Sequence, residues 1–331
     1  VVGTYKTGTT TSVSSFYAGT YDILIKPTSS STFEGESRFT FRIKPTPILS
    51  ISLSFTEATY NTKQHIPEEI YVYYKYGNQN YCCLFEDYNF TLKTSGDFTN
   101  VTTAGGTITV TGKGNYTGSA SAKVTIKPYN LSGATINLAS SSYTYNNQAK
   151  KPTVSSVTAT QNGVTFTVPS TNYSTSYSNN VNAGSSAKVI ISARSSYKNF
   201  TGRGTKTFSI STRDISNTTI GAIDDQDYTG NAVTPTLSVS DTSIGVARLK
   251  AGTDYYIGGY KSYVNGSTWG PMQATIIQPG TYKAYVYGKG NYSGAKYTGL
   301  FKIKQSSFTT MDDSLLSISV LNPNSYIYTG G

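Results

Sequence analysis

One phrase returns four times along the chain. Its clearest form is Ala104-Gly105-Gly106-Thr107, a short alternating run, Gly112-Lys113-Gly114-Asn115-Tyr116-Thr117-Gly118, and then Val124-Thr125-Ile126. It recurs as Pro279-Gly280-Thr281, Gly288-Lys289-Gly290-Asn291-Tyr292-Ser293-Gly294 and Phe301-Lys302-Ile303. An eroded copy runs from Ala183-Gly184 through Phe200-Thr201-Gly202 to Phe208-Ser209-Ile210. The first copy runs from Ala18-Gly19-Thr20 through Phe33-Glu34-Gly35 to Phe41-Arg42-Ile43. Self-similarity at a fixed period means an array of one structural unit, and it argues against a single enzyme domain.

The spacing holds to within a residue. Eight positions separate Gly35 from Ile43, Gly118 from Ile126 and Gly202 from Ile210, and nine separate Gly294 from Ile303. A tyrosine opens each unit, with proline seven residues later: Tyr60 and Pro67, Tyr145 and Pro152, Tyr228 and Pro235. Tyr328-Thr329-Gly330 begins the phrase again. A middle landmark falls at Asp87-Tyr88, Asn172-Tyr173 and Asp254-Tyr255. Successive opening tyrosines lie 85, 83 and 100 residues apart, and insertions such as Tyr260 to Met272 absorb the difference as loops do in a repeat. Short joints follow each closing strand, two of them with proline, at Lys44-Pro45-Thr46-Pro47 and Lys127-Pro128-Tyr129. Such links restrict the angle between neighbours. The expected divisions are a closing half-unit at 1–45, whole units at 46–128, 129–212 and 213–305, and the opening of another at 306–331. The chain opens inside a repeat and is read as a segment of something longer.

Each unit reads as strands. Thr107-Ile108-Thr109-Val110-Thr111 alternates polar and apolar residues, which puts one face inward and one toward water. Gly-Lys-Gly-Asn is turn chemistry, because glycine and asparagine tolerate positive φ. No sustained 3.6-residue apolar pattern occurs, so almost no helix is expected. The fold class is all-β, an elongated tandem array of small antiparallel β-sandwiches. The structural positions of the repeat are Tyr60, Pro67, Tyr116, Gly118, Tyr145, Pro152, Gly202, Tyr228, Pro235, Tyr292 and Gly294.

Composition narrows the function. Only 13% of residues are charged, so Ser, Thr, Asn, Gly and Tyr must form the polar surface, as in exported β-proteins. The net charge of +10 is spread thinly over 27 basic and 17 acidic residues. That admits an anionic cell-wall polymer or glycan as a partner and gives no nucleic-acid patch. No apolar run reaches the length of a membrane-spanning helix, so no direct membrane insertion is expected. Cys82 and Cys83 are adjacent, and strand alternation sends one thiol inward and the other outward, both free.

Chemistry is sparse. His65 is the single histidine, and no GxSxG, HExxH or Walker loop accompanies it, so no catalytic residue, enzymatic activity or cofactor is expected. Asp224, Asp225 and Asp227 form the densest acidic cluster, whose oxygens are a candidate calcium site. The equivalent stretch before Tyr145 is Ala139-Ser140-Ser141-Ser142, without carboxylates. Among 29 tyrosines, Tyr71, Tyr73, Tyr74 and Tyr76 crowd one strand and put rings on both of its faces. Exposed rings stack on sugars and anchor protein interfaces, while tyrosine also pairs well across strands without any ligand. The Asn-x-Ser/Thr sequons at Asn115, Asn199 and Asn291 read as chance in so Asn- and Thr-rich a chain.

The order Tyr-x-Gly-x-x-x-x-Pro, Asp-Tyr, a Gly-Thr strand, Gly-Lys-Gly-Asn-Tyr-Thr-Gly and Phe-x-Ile resembles the tandem Ig-like repeats of large bacterial surface proteins, and is most similar to the MBG-type group. The likeness covers 46–128 and 213–305 well. It thins over 129–212, where Ala193-Arg194-Ser195-Ser196 stands in place of Gly-Lys-Gly. The resemblance implies Ig-like sandwiches in a non-enzymatic, adhesin-like protein outside the cell, on a bacterial or virion surface. Three roles follow as expectations. The first is a stalk spacing a binding module from the surface. The second is direct binding of a host or cell-wall glycan or protein through the tyrosine-rich faces. The third is a filament or phage fibre in which Leu315-Leu316-Ser317-Ile318-Ser319-Val320 of one chain completes the 1–45 half-unit of the next. The partners are then neighbouring repeats of the same or another chain.

Overall fold

The computed structural model describes residues 17–27, 32, 34–264 and 268–305, with the backbone alone at 6–7 and 9–10. Phe33, the returning Tyr328 phrase and the whole of 306–331, with Leu315 to Val320, lie outside the described residues. Every extended element is a β-strand, and the helical elements among the described residues are 3-10 turns such as Leu131–Gly133 and Ile215–Asn217. The fold is all-β, built of Ig-like sandwich layers.

The chain divides into two compact units. The first comprises Val1–Asn137, Val154–Ser176 and Ile190–Thr205. The second comprises Leu138–Thr153, Tyr177–Val189 and Lys206–Gly331. In the first, residues 46–128 form two four-stranded sheets. One has the order Glu57–Thr59, Ser119–Lys127, Gly106–Gly112, Phe90–Gly96. The other has the order Tyr116–Thr117, Thr46–Leu53, Ile70–Tyr76, Gln79–Leu84. The alternation read from the sequence fills the space between them. Ile108, Val110 and Val124 are fully buried, and Ile126, Phe90 and Val72 join them in one apolar core. Cys83 packs on that core while Cys82 is exposed, and both thiols are free.

Most pairing is antiparallel, but the ends of the unit pair in parallel. Tyr116 lies opposite Thr46, and Thr125 opposite Glu57. The same closure recurs at Tyr129 with Phe200, and at Arg213 with Tyr292. A parallel pair needs a long crossover between its members, and here nearly the whole repeat is that crossover. This explains why the opening and closing landmarks sit so far apart in sequence and meet in space.

In the second unit the apolar side chains of the closing Phe-x-Ile strands are buried: Phe208 and Ile210 are 3% and 2% exposed, and Phe301 and Ile303 are 1% and 2%. Strand Gly280–Gly288 buries Tyr282, Ala284 and Val286 and turns Lys283, Tyr285 and Tyr287 outward. Arg213 opens this stretch with an ion pair, its Nε 2.5 Å from a carboxylate oxygen of the buried Asp241 and its Nη2 donating to Ser243 Oγ at 2.8 Å. Removing one partner of a buried pair leaves an uncompensated charge, so these two residues depend on each other.

The middle landmark shifts in the 46–128 repeat. Tyr88 is 69% exposed, whereas Tyr173 and Tyr255 are buried. The equivalent of Asn172-Tyr173 and Asp254-Tyr255 is Asn89-Phe90. The Lys113 amide donates to the Asn89 carbonyl, as Arg194 does to Asn172 and Lys289 to Asp254, at 2.8, 2.9 and 2.8 Å. Matching the Asp-Tyr letters chose the wrong pair by two residues, because the buried ring at this position can be phenylalanine.

Candidate functional site

The positions that recur most faithfully meet at the ends of the repeats. In the first unit, Asn199 faces the loop 97–101. Its Oδ1 accepts the Val101 amide at 2.8 Å, and its Nδ2 donates to Asn100 Oδ1 at 2.9 Å. In the second unit, Asn291 does the same: its Oδ1 accepts the Ala183 amide at 2.8 Å, and its Nδ2 donates to Asn182 Oδ1 at 3.1 Å. A third asparagine, Asn115, accepts the Ala18 amide at 2.7 Å. Tyr17 precedes Ala18 where the other two loops carry asparagine, so the second bond has no counterpart there.

Each asparagine also holds the start of its own repeat. Its backbone carbonyl accepts from the amide of Thr46, Tyr129 or Arg213, at 2.8, 2.9 and 2.9 Å. One residue therefore ties two sequence repeats, with its side chain on the earlier loop and its main chain on its own first strand. The aromatic that follows it takes part as well. Tyr60 packs edge-on against Phe200, 5.4 Å between centroids, and Tyr145 packs edge-on against Tyr292 at 5.7 Å. Burial pushes the Tyr145 and Tyr292 hydroxyls up from their ordinary titration range, so both stay neutral.

The glycine two residues beyond that aromatic completes the joint. Gly118, Gly202 and Gly294 have φ of 81°, 71° and 75°. A Cβ on Gly294 would sit 2.8 Å from Asp214 Oδ1, and one on Gly202 would collide with Asn130 Oδ1. Those two side chains cap the 3-10 turns that open their repeats, accepting from Ser216 and Ser132 amides. Pro67, Pro152 and Pro235 are all buried near the opposite end of the opening phrase. The gripped loop 97–101 is held in shape by Asp97, whose Oδ1 accepts from Thr99 and Asn100 amides, both at 2.7 Å.

The other sequence candidates fall elsewhere. Tyr71 and Tyr73 face outward, and Tyr71 Oη donates to Glu69 at 2.9 Å, which raises its hydroxyl's pKa. Tyr74 and Tyr76 lie on the opposite face of that strand. Tyr74 packs on Tyr116 and Tyr81 at 5.0 and 5.8 Å, and Tyr76 is 61% exposed. The four rings are thus two pairs on two faces and not one surface. Asp225 Oδ1 accepts the Lys302 amide at 2.9 Å, Asp224 uses its carbonyl for Gln226, and Asp227 pairs with Lys304 in the sheet. Among the described residues no three acidic, histidine or cysteine side chains converge as a metal site. The His65 amide donates to the Phe98 carbonyl at 2.9 Å, and burial lowers the ring's pKa.

No protein-family model matches the chain, and no curated protein matches it in sequence. Solved structures do align with it. Domains 1–6 of the surface-layer protein SbsC match at 15% identity over 90% of this chain and 46% of that one, with a TM-score of 0.22. The chain thus spans about half of that fragment. The Escherichia coli adhesin FdeC matches at 10% identity over 78% of this chain and 96% of that one, with a TM-score of 0.25. The cadherin domains 1–5 of protocadherin gamma B2 match at 9% identity over 82% and 63%, with a TM-score of 0.22. All three TM-scores lie below 0.5, so the functional reading rests on the chain's own geometry.

The sequence showed the joint asparagines as sequons and, at Asn115 and Asn291, as turn residues of the Gly-Lys-Gly-Asn phrase. Their better signal was position: each stands immediately before the aromatic of the aromatic-x-Gly phrase, including Tyr197-Lys198-Asn199-Phe200, where the flanking glycines are lost.

Proposed function

We propose that this chain is a stalk segment of an extracellular surface protein. Residues 46–128, 129–212 and 213–305 act as successive Ig-like domains that space a binding module from a bacterial or virion surface, in the manner of the MBG-type repeats its phrases resemble. The observation that carries the reading is the recurrent asparagine joint. A spacer has to resist bending at every junction, and a free linker would spend no side chains there. The junctions at Asn199 and Asn291 each use two side-chain hydrogen bonds and an aromatic contact, worth about 1 kcal/mol each. The chemistry of the chain points away from catalysis, since its recurrent residues build turns and joints.

Small-angle scattering tests the reading. The expected radius of gyration is well above the roughly 20 Å of a compact 331-residue globule. Replacing Asn199 and Asn291 together by alanine should broaden the distance distribution without unfolding the strands. A compact value for the native chain would sink the spacer.

A further inference from the structure

The insertion that lengthens the last whole repeat does more than fill a loop. Strand Tyr255–Val264 pairs with Thr268–Gln273 on one side and with Gly280–Gly288 on the other, which gives a broad outward sheet face. That face is aromatic. Tyr297, Tyr285, Tyr287 and Tyr256 follow one another with centroid separations of 4.5, 4.8 and 5.3 Å. Lys283 lies at the Tyr297 end of that row, its Nζ 3.8 Å from the Trp269 ring centre and 4.1 Å from that of Tyr297.

The charge on this face is unbalanced. Lys261 stands directly opposite Lys283 in the ladder. Like charges in that position repel, and among the described residues neither lysine has a carboxylate partner. Between 254 and 304 the chain has six lysines and one acidic residue, Asp254. Asp254 is occupied with the Lys250 amide at 2.9 Å. The aromatic row ends at Tyr256, which also lines a cleft of about 670 Å³ whose wall carries Arg248 and Lys250. Neither of those has an ion-pair partner among the described residues.

We propose that this face binds an acidic polysaccharide. Its sugar rings lie on the tyrosine row, and its carboxylates meet Lys283 and Lys261, with the chain running toward Arg248 and Lys250. Sugar faces and aromatic faces match in shape, and a lysine already lying on rings and lacking a counter-ion is open to an anion. An acidic peptide fits less well. Peptides gain affinity by adding to an open strand edge, which here is Thr268–Gln273 at the rim of the sheet, whereas Lys283, Tyr285 and Tyr287 stand on Gly280–Gly288, hydrogen-bonded on both sides by Tyr255–Val264 and by Ala295–Tyr297 with Phe301–Lys304. Over that paired strand the face presents rings and ammonium groups.

Trp269 is the chain's single tryptophan, so its fluorescence reports on this face alone. The whole chain is titrated with oligogalacturonate and hyaluronate oligosaccharides, with uncharged cellohexaose, and with poly-glutamate. Both acidic glycans should give a saturable change that weakens as salt is raised. Cellohexaose and poly-glutamate should each bind at least tenfold more weakly. Lys283→Met and Tyr285→Ala should each weaken the acidic-glycan binding about tenfold, with an unchanged unfolding midpoint. Lys93→Met, on the outward face of the 46–128 repeat, should leave it unchanged. No saturable change with either acidic glycan overturns the proposal. So does equal binding of poly-glutamate, which would make the face a general anion or acidic-peptide surface. Equal binding of cellohexaose would overturn the role of the lysines. This outcome is independent of the scattering test of the spacer.

Discussion

Strands Gly106–Gly112 and Gly280–Gly288 occupy the same place in their repeats and end in the same Gly-Lys-Gly-Asn-Tyr phrase. Their inward sides are alike: Ile108 and Val110 in one, Tyr282, Ala284 and Val286 in the other, all buried. Their outward sides are not. The first presents Thr107, Thr109 and Thr111, with Thr109 Oγ1 and Ser121 Oγ sharing a hydrogen bond of 2.8 Å across the ladder. The second presents Lys283, Tyr285 and Tyr287 in a connected aromatic field. Period-two alternation lets one strand answer to two demands at once. Packing dictates the inner face in every repeat, whereas the outer face can differ from repeat to repeat. The joints belong with the inner face, because each must be made again wherever two repeats meet.

The largest effect should come from breaking the shared side. Phe301→Ala removes a ring that is 1% exposed and should cost about 3–5 kcal/mol in denaturant unfolding. Tyr287→Ala, on the outward side of the neighbouring strand, should cost under about 1 kcal/mol. Similar losses from the two would erase the distinction between faces. Next come the joint glycines. Gly294→Val must abandon a φ of 75° and push a side chain into Asp214, so a loss of roughly 1–3 kcal/mol is expected. Gly118→Val carries the same backbone strain at a φ of 81°, but nothing lies closer than 4.0 Å to its Cβ, so its loss should be the smaller. A reversed order would show that the cap does not restrict the site.

Much of this was legible in the sequence. Alternation put Ile108 and Val110 on the inward face, and both are buried, because a period of two is a direct imprint of a sheet with one dry face. The glycines with positive φ were legible for a similar reason, since the backbone there excludes other residues. What escaped was side-chain partnership across large sequence separations. Asn199 and Val101 are 98 residues apart, and Asn291 and Ala183 are 108 apart. Nothing local to an asparagine says whether its amide is solvated or spans a joint. The aromatic face escaped because it is assembled from four separated strands. Tyr71, Tyr73, Tyr74 and Tyr76 drew attention by crowding within one, yet alternation divides them between two faces.

A smaller effect is expected from pH. The Asn100 and Thr99 donors hold the Asp97 carboxyl below its ordinary value of 3.8. A group whose pKa is lowered by folding stabilises the fold above its unfolded value, and that contribution is lost as pH falls through the lower, folded value. The loop 97–101 should therefore loosen below about pH 3.8 in amide exchange, and Asp97→Asn should remove that dependence.

Amide hydrogen exchange at Val101 and Ala183, in the native chain and in Asn199→Ala and Asn291→Ala, tests the joint most directly. Each of these amides donates to a single asparagine side chain across a repeat boundary. Loss of a hydrogen bond worth about 1–1.5 kcal/mol should speed exchange roughly tenfold. Asn199→Ala should do so at Val101 and leave Ala183 unchanged, and Asn291→Ala should do the reverse. Unchanged exchange at both amides in both variants would contradict the claim that each repeat grips the one before it.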